Sequence, residues 1–116
     1  MENPAQQSYQ LFIGGKWVDA SDGATLDVYC PANGEKLSTI ADASKEDVDA
    51  AVDAAWKAFE SWSKTDKAER AIILNKVADV IEANAEKFAL LETLDNGKPI
   101  RETRAIDVAY SIDHFR

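Results

Sequence analysis

The sequence predicts a mixed α/β chain in which short β-hairpins fill the first forty residues and about four helices follow. Two observations predict the hairpins: short apolar runs, and between them the turn dipeptides Gly14-Gly15 and Asn33-Gly34. A third predicts the helices, because apolar residues recur at steps of three and four from Val48 onward. A length of 116 residues allows one domain and is too short for two.

The predicted strands begin after a polar N-terminus. We expect residues 1–8 to be disordered and residues 9–116 to form the ordered part. The run LFIGGKWV is typical of two strands joined by a tight turn at the glycine pair, and Ala20–Gly23 is a loop. In the next strand Leu26, Val28 and Cys30 share one face. The turn Pro31–Gly34 then leads to a strand over 37–40.

Capping patterns define the helices. The predicted N-caps, in chain order, are Ser44 with Asp47 as a capping box, Asp66 with Glu69 as a second box, and Asn84. Asn96-Gly97 ends the third helix, and Pro99 suits the first turn of a fourth. The first helix carries one apolar stripe, made of Val48, Ala51, Val52, Ala55, Trp56, Phe59 and Trp62.

The later helices indicate that the chain is part of a larger protein. Apolar positions over 72–81 and 106–115 occupy more of the helix circumference than a surface helix needs. The last pattern also runs to Arg116 without a stop signal. We therefore expect a truncated chain whose apolar faces pack against further protein. The alternative is that Arg116 meets the negative end of its helix and the protein stops there.

Composition excludes several classes of function. A formal net charge of -8 opposes binding to nucleic acid or to an anionic membrane, and no basic cluster is present. The longest apolar run is far too short to span a membrane. A single cysteine rules out an internal disulfide and fits a reducing compartment, so we expect a cytoplasmic protein.

The residues of the chain do not form a catalytic constellation. Cys30 precedes Pro31 in a strand pattern and is interpreted as a buried structural thiol, and His114 as a surface or tunnel-wall residue. One histidine and one cysteine give no metal-ligand spacing. Gly97-Lys98 lacks the preceding glycine-rich loop of a phosphate site.

Four stretches in order carry a family resemblance: LFIGGKWVDA, CPANGE, SKEDVDAAVDAAWKAFESW and ERAIILNKVADVIEANAEKFALLETLDNGKPIRET, followed by DHFR at 113–116. From Leu11 to Arg116 the chain resembles the N-terminal portion of an NAD(P)-dependent aldehyde dehydrogenase, and most resembles members acting on small aliphatic aldehydes. One departure is Cys30, where the family usually has asparagine. The turn residues Pro31 and Gly34 are kept, but any hydrogen bond from the asparagine side chain is lost.

The resemblance implies the outer part of a Rossmann-like cofactor domain of the aldehyde dehydrogenase fold. The family oxidises aldehydes to carboxylates with NAD or NADP through a cysteine thiohemiacetal. Its nucleophile, general base and cofactor loops match positions beyond Arg116, so no catalytic or cofactor-binding residue is assigned here. We expect this chain alone to be inactive and to bind no cofactor tightly. The full-length protein is expected to act on an aldehyde and to be a homo-oligomer.

The resemblance also implies two peripheral sites. Ile106 and Tyr110, four residues apart, match positions that line the aldehyde access tunnel; the alternative is plain core packing. The backbone at Val28 and Tyr29, with the Asp95 carboxylate, matches a monovalent-cation site of some members. The alternative for Asp95 is a capping role at the turn. A different class of function is a non-catalytic interaction module that docks on full-length subunits through its uncovered helix faces.

Overall fold

The structure is a computed structural model that describes residues 3–116. The strands are β1 (Ser8–Tyr9), β2 (Leu11–Ile13), β3 (Lys16–Val18), β4 (Thr25–Tyr29) and β5 (Lys36–Ala41). The helices are α1 (Lys45–Trp62), α2 (Lys67–Ala83) and α3 (Ala85–Asn96). A terminal helix follows, made of α4 (Ile100–Glu102), a π-helical segment (Thr103–Val108) and α5 (Ala109–Phe115). The predicted mixed fold of small strands and about four helices is confirmed.

The chain divides into two compact units. Of the described residues, the first contains 6–28 and 38–65, and the second contains 3–5, 29–37 and 66–116. No helix formed by residues 3–116 combines the length and the apolar character needed to cross a membrane.

In the unit of residues 6–28 and 38–65, strands β2 and β3 form the antiparallel hairpin that the glycine pair predicts. Both glycines have positive φ, 58° and 81°, as a type I′ turn requires. The first forty residues are not hairpins alone, however. Strand β1 pairs in parallel with β5, Ser8 opposite Thr39, in a sheet of order β1-β5-β4. This pairing joins strands about thirty residues apart and therefore leaves no local turn signal.

Helix α1 begins as predicted. The Ser44 side chain accepts from the Asp47 amide, and the Asp47 carboxylate accepts from the Ser44 amide at 2.9 Å. The same carboxylate also accepts from the Ser21 amide at 3.1 Å, which ties the loop over 20–23 to the helix. These backbone hydrogen bonds, first from Ser44 and then from Ser21, lower the pKa of Asp47. The apolar stripe of α1 is largely exposed, at 65% for Trp56.

In the unit of residues 29–37 and 66–116, the core lies where α2, α3 and the terminal helix meet. Its buried members are Ala78, Ala89, Val108 and Ile112, with Ile81, Ala85 and Ile100 packed against them. The small residues Ala78 and Ala89 are completely buried in this core. Several large apolar residues of α2 stay at least two-fifths exposed, namely Ile72, Ile73, Leu74 and Val80. The second apolar face predicted for this helix is therefore present and uncovered by the described residues.

Two expectations about helix caps need correction. Asn84 occupies the predicted N-cap position of α3, but its side chain makes no capping bond and donates instead to the Val80 carbonyl at 2.8 Å. Asn84 is the single residue between α2 and α3, and its side chain bonds to a carbonyl at the end of α2. Asp66 caps α2 by accepting from the Ala68 amide, without the predicted reciprocal bond from Glu69. Leu26 and Cys30, which are predicted to share one face of a strand, differ in exposure: Leu26 is half exposed and Cys30 is buried.

The predicted disorder of residues 1–8 stays a prediction, since Met1 and Glu2 lie outside the described residues. From Asn3 onward the segment makes defined contacts. The Asn3 side chain donates to the Leu37 carbonyl at 3.2 Å, and Ser8 lies in β1.

Candidate functional site

The candidate site is built on the corner between α3 and the terminal helix. Gly97 ends α3 with φ 79°, and its amide donates to the Thr93 carbonyl at 2.9 Å. A Cβ at Gly97 would lie 2.9 Å from Cγ of Pro31, so two separate reasons favour glycine here. Pro99 then occupies the N-cap position of α4. The predicted helix–turn–helix corner is confirmed.

A pair of hydrogen-bonded hydroxyl groups joins α3 to the terminal helix across this corner. Thr103 is fully buried, and its Oγ1 lies 2.9 Å from Oγ1 of Thr93 on α3. The same hydroxyl group lies 3.0 Å from the Ile100 carbonyl oxygen and donates to it. Thr93 is then the donor to Thr103, because one hydroxyl has one proton to give. Both hydroxyls thereby have hydrogen-bond partners, Thr103 in a fully buried position and Thr93 in a partly buried one.

The terminal helix presents two faces because of its π-helical segment. Its buried residues are Thr103, Val108 and Ile112, spaced by five and then four. A π-helix bonds residue i to i+5, so Val108 rather than Asp107 follows Thr103 on the inward face. The predicted tunnel residues lie on the other face, with Ile106 42% and Tyr110 59% exposed. Neither belongs to the core formed by the described residues, and their role in a tunnel wall stays a prediction.

An ion pair joins the corner to the π-helical segment. Lys98 Nζ lies 2.8 Å from Asp107 Oδ1, and about a third of each side chain is accessible. The hydrogen bond to Asp107 raises the pKa of Lys98, against partial burial, and the charges of Glu102 and Glu92 act in the same direction as Asp107. The second carboxylate oxygen, Oδ2 of Asp107, is buried without a hydrogen-bond partner among the described residues.

Sequence reasoning missed this pair. Lys98 was considered only as a phosphate ligand, and Asp107 was not singled out. The one available signal is a lysine directly after the glycine cap and an aspartate nine residues later. That spacing does not bring two residues together on a regular helix, and the turn between them determines the contact.

A second ion pair lies on the same helix. Arg104 donates to both carboxylate oxygens of Glu86 on α3. The hydrogen bond lowers the pKa of Glu86 and raises that of Arg104, with a smaller contribution from the attraction of the charges. Both groups are exposed, so this pair contributes little to stability. Arg116 similarly donates to the carboxylates of Asp79 and Glu82 on α2, so its charge is paired with these two side chains.

The two residues considered for nucleophilic chemistry have separate environments. Cys30 is buried, 3% exposed, and its backbone closes the turn to Gly34 and Glu35. The prediction of a buried thiol is confirmed. His114 is exposed on α5, where its Nδ1 lies 2.7 Å from the Tyr110 carbonyl and its ring meets the Tyr110 ring edge-on. No hydrogen bond of the described residues connects the thiol to the imidazole.

The residues of the predicted cation site are distributed over two elements. Val28 and Tyr29 are the last residues of β4, and Asp95 is an exposed residue in the last turn of α3. Among residues 3–116 no cluster of three or more histidine, cysteine, aspartate or glutamate side chains is arranged to hold a metal ion. A site at this position would therefore depend on backbone carbonyls.

Comparison with known proteins decides the family. The sequence model described as "Aldehyde dehydrogenase family" matches residues 17–116. The chain belongs to the aldehyde dehydrogenase family. It is similar to acetaldehyde dehydrogenase 2 of Cupriavidus necator, 44% identical over all 116 residues, and to aldehyde dehydrogenase B of Escherichia coli, 49% identical over 93% of the chain. The chain spans 23% and 21% of those two aldehyde dehydrogenases.

Solved aldehyde dehydrogenases have the same fold over this region. A putative aldehyde dehydrogenase from Burkholderia cenocepacia superposes with a TM-score of 0.92 at 50% identity, covering 96% of this chain and 23% of that one. The NAD+ complex of an aldehyde dehydrogenase from Bacillus cereus gives 0.90 at 41% identity, covering 94% and 23%. The resemblance read from the sequence is confirmed, and the chain corresponds to about a quarter of a member of the family.

Proposed function

We propose that this chain is the N-terminal segment of an enzyme that oxidises aldehydes to carboxylates with NAD or NADP through a cysteine thiohemiacetal. The observation that carries the proposal is the 44% identity to acetaldehyde dehydrogenase 2 across every residue of the chain. Sequence similarity of this extent over one quarter of an enzyme supports the activity of the whole, to which the segment contributes a helical corner and an apolar wall. By itself the chain neither turns over aldehyde nor binds NAD tightly.

A chimaera tests this proposal. Residues 1–116 replace the matching segment of acetaldehyde dehydrogenase 2 from Cupriavidus necator, and NADH formation from acetaldehyde is followed by absorbance. We expect the chimaera to be active and the purified 116-residue chain to be inactive under the same conditions. An inactive but folded chimaera contradicts the proposal, and so does aldehyde-dependent NADH formation by the chain alone.

Within that enzyme we propose that Ile106 and Tyr110 form part of the wall past which the aldehyde reaches the reacting cysteine. Their exposure on the terminal helix supports this, because apolar side chains that are uncovered here are free to line a channel. Tyr110→Ala in the chimaera is expected to change the preference between acetaldehyde and hexanal. Unchanged relative values of kcat/KM for the two aldehydes contradict the assignment.

We also propose a monovalent-cation site formed by the Val28 and Tyr29 carbonyls and the Asp95 carboxylate, since oxygen ligands suit a hard ion. The chimaera is expected to unfold at a higher temperature in sodium or potassium chloride than in choline chloride at equal ionic strength. Asp95→Asn is expected to remove that difference. Thermal unfolding that is independent of the cation contradicts the site.

The full-length protein is proposed to be a cytoplasmic homo-oligomer that binds neither nucleic acid nor membrane. This segment has a single cysteine and therefore no internal disulfide, which supports a reducing compartment, and its net charge of -8 opposes anionic partners. Light scattering on the chimaera measures its subunit number, and a monomer contradicts the assembly.

One observation favours a second function, a non-catalytic module that docks on full-length subunits. Helix α1 exposes large apolar side chains along one stripe: Val48, Val52, Trp56 and Phe59. Uncovered apolar surface of this kind marks an interface. Co-purification of the tagged chain with intact acetaldehyde dehydrogenase 2 is expected for a module. A stable, soluble monomer that captures no subunit contradicts it.

A further inference from the structure

The π-helical segment and the Lys98–Asp107 ion pair lie beside the two proposed wall residues. Asp107 directly follows Ile106 and precedes Tyr110 by three residues, within one turn. Lys98 directly follows Gly97, the left-handed residue that ends α3. The 2.8 Å contact from Lys98 to Asp107 therefore ties the fixed corner to the stretch of helix from which both apolar side chains project.

The π-helical segment determines which side chains face outward. In a regular α-helix the residue four after the buried Thr103 is Asp107, which would bring a carboxylate toward the apolar core. With bonds from i to i+5, Val108 takes the inward position, and Asp107 lies to the side, within reach of Lys98. Ile106 and Tyr110 then remain on the exposed face. The direction of the wall depends on this π-helical register.

The ion pair is the contact that distinguishes the two registers. Asp107 holds one carboxylate oxygen on Lys98, while the other oxygen is buried without a protein partner. Removal of the Lys98 cation would raise the free energy of the folded chain, because the carboxylate of Asp107 is partly buried and water reaches only part of it. Loss of Lys98 therefore favours rearrangement of the segment, which moves the neighbouring side chains.

We propose that Lys98 and Asp107 are positioning residues that hold Ile106 and Tyr110 in place and thereby determine which aldehydes the enzyme accepts. This inference rests on the proposed wall role of Ile106 and Tyr110. Neither Lys98 nor Asp107 needs to touch the aldehyde, since the ion pair acts through the helix. Its effect is on selection among aldehydes.

The test compares aldehyde preference in the chimaera. Lys98→Met keeps the aliphatic stem and removes the charge. We expect it to change the ratio of kcat/KM for hexanal to that for acetaldehyde about fivefold or more, mainly through KM, in the same direction as Tyr110→Ala. Lys98→Arg, which retains a cation, is expected to restore most of the original ratio. The matched control is Arg104→Met, which breaks the exposed pair with Glu86 on the same helix and is expected to leave the ratio unchanged.

A double variant separates this inference from the proposed wall. If Lys98 acts through Tyr110, adding Lys98→Met to Tyr110→Ala produces little further change in the ratio. Full additivity of the two effects overturns the positioning role. A changed ratio for Tyr110→Ala with none for Lys98→Met overturns this inference and leaves the wall intact. No change for Tyr110→Ala overturns both.

A measurement on the 116-residue chain itself does not require the chimaera. Amide hydrogen exchange by NMR in the Lys98→Met chain is expected to be about tenfold faster over 103–108 than in the parent chain, with α3 amides unchanged. Asp107→Asn, which keeps the side-chain shape and removes its charge, is expected to do the same, and Arg104→Met is not. Unchanged exchange over 103–108 in both Lys98→Met and Asp107→Asn overturns the inference.

Discussion

Replacing Gly97 by alanine tests the corner that supports the terminal helix. The residue has φ 79°, and an L-amino acid in the left-handed region costs about 1–2 kcal/mol relative to glycine. The new Cβ would lie 2.9 Å from Cγ of Pro31, inside contact distance, and overpacking of this kind costs about 1–3 kcal/mol. Together the two effects predict that Gly97→Ala lowers the free energy of unfolding by about 2–5 kcal/mol.

The chain offers a matched control. Gly34 has φ 74°, nearly the same conformation, but a Cβ there meets nothing within 4 Å. Gly34→Ala therefore isolates the conformational cost and is expected to lose only about 1–2 kcal/mol. Urea unfolding of each variant of the chain, followed by far-ultraviolet circular dichroism, gives the two free energies directly.

A third variant assigns the difference to a single contact. Pro31→Ala removes the Cγ atom, so the cost of Gly97→Ala measured in that background should fall to the value found at Gly34. If Gly97→Ala is no more damaging than Gly34→Ala, the close approach to Pro31 does not matter. If the cost persists after Pro31→Ala, the steric part of the reasoning is refuted.

Three further predictions follow from individual contacts. The pKa of Asp47 is lowered in the folded state, so the contribution of this carboxylate to stability is present above the unfolded value near 3.8 and is lost as pH falls through the folded pKa. Urea midpoints measured between about pH 7 and 2.5 should therefore fall more steeply for the parent chain than for Asp47→Asn. Parallel curves contradict this prediction. Thr103→Val leaves the Thr93 hydroxyl without its buried partner and should cost about 1–3 kcal/mol in urea unfolding, whereas an unchanged midpoint would contradict the hydrogen bond. Replacing Trp56 and Phe59 on α1 by serine should reduce self-association of the chain, measured by light scattering. Equal scattering by the parent chain and the variant would show that this face does not mediate self-association.

Sequence reasoning predicted the features whose causes are local. The glycine pair at Gly14-Gly15, the Ser44–Asp47 capping box and the glycine at the end of α3 each depend on residues within a few positions of one another. Such signals are complete in a short window of sequence. The role of Ile106 and Tyr110 in a tunnel wall, which the family resemblance implies, stays a prediction; both side chains are exposed.

Features that depend on distant parts of the chain escaped prediction. The parallel pairing of β1 with β5 joins segments without a connecting turn. The π-helical segment buries Thr103 and Val108, five residues apart, whereas its sequence, TRAIDV, is compatible with a regular helix. The N-cap position of Asn84 was predicted correctly, but the pattern does not say that its side chain bonds to the end of α2 instead of the start of α3. The wide apolar circumference of α2 was interpreted correctly, since the positions of apolar residues around a helix can be read from a short stretch of sequence.

The buried thiol of Cys30 is a built-in probe for local opening of the folded chain. Because this sulfhydryl is the single one in the sequence and only 3% of the residue is accessible, a thiol reagent reacts with it chiefly when the turn behind Pro31 opens. The labelling rate thus reads the frequency of that opening without an added probe. In Gly97→Ala the new methyl group would contact the same proline. The labelling rate of that variant would show whether the contact increases opening of the turn before the helices unfold.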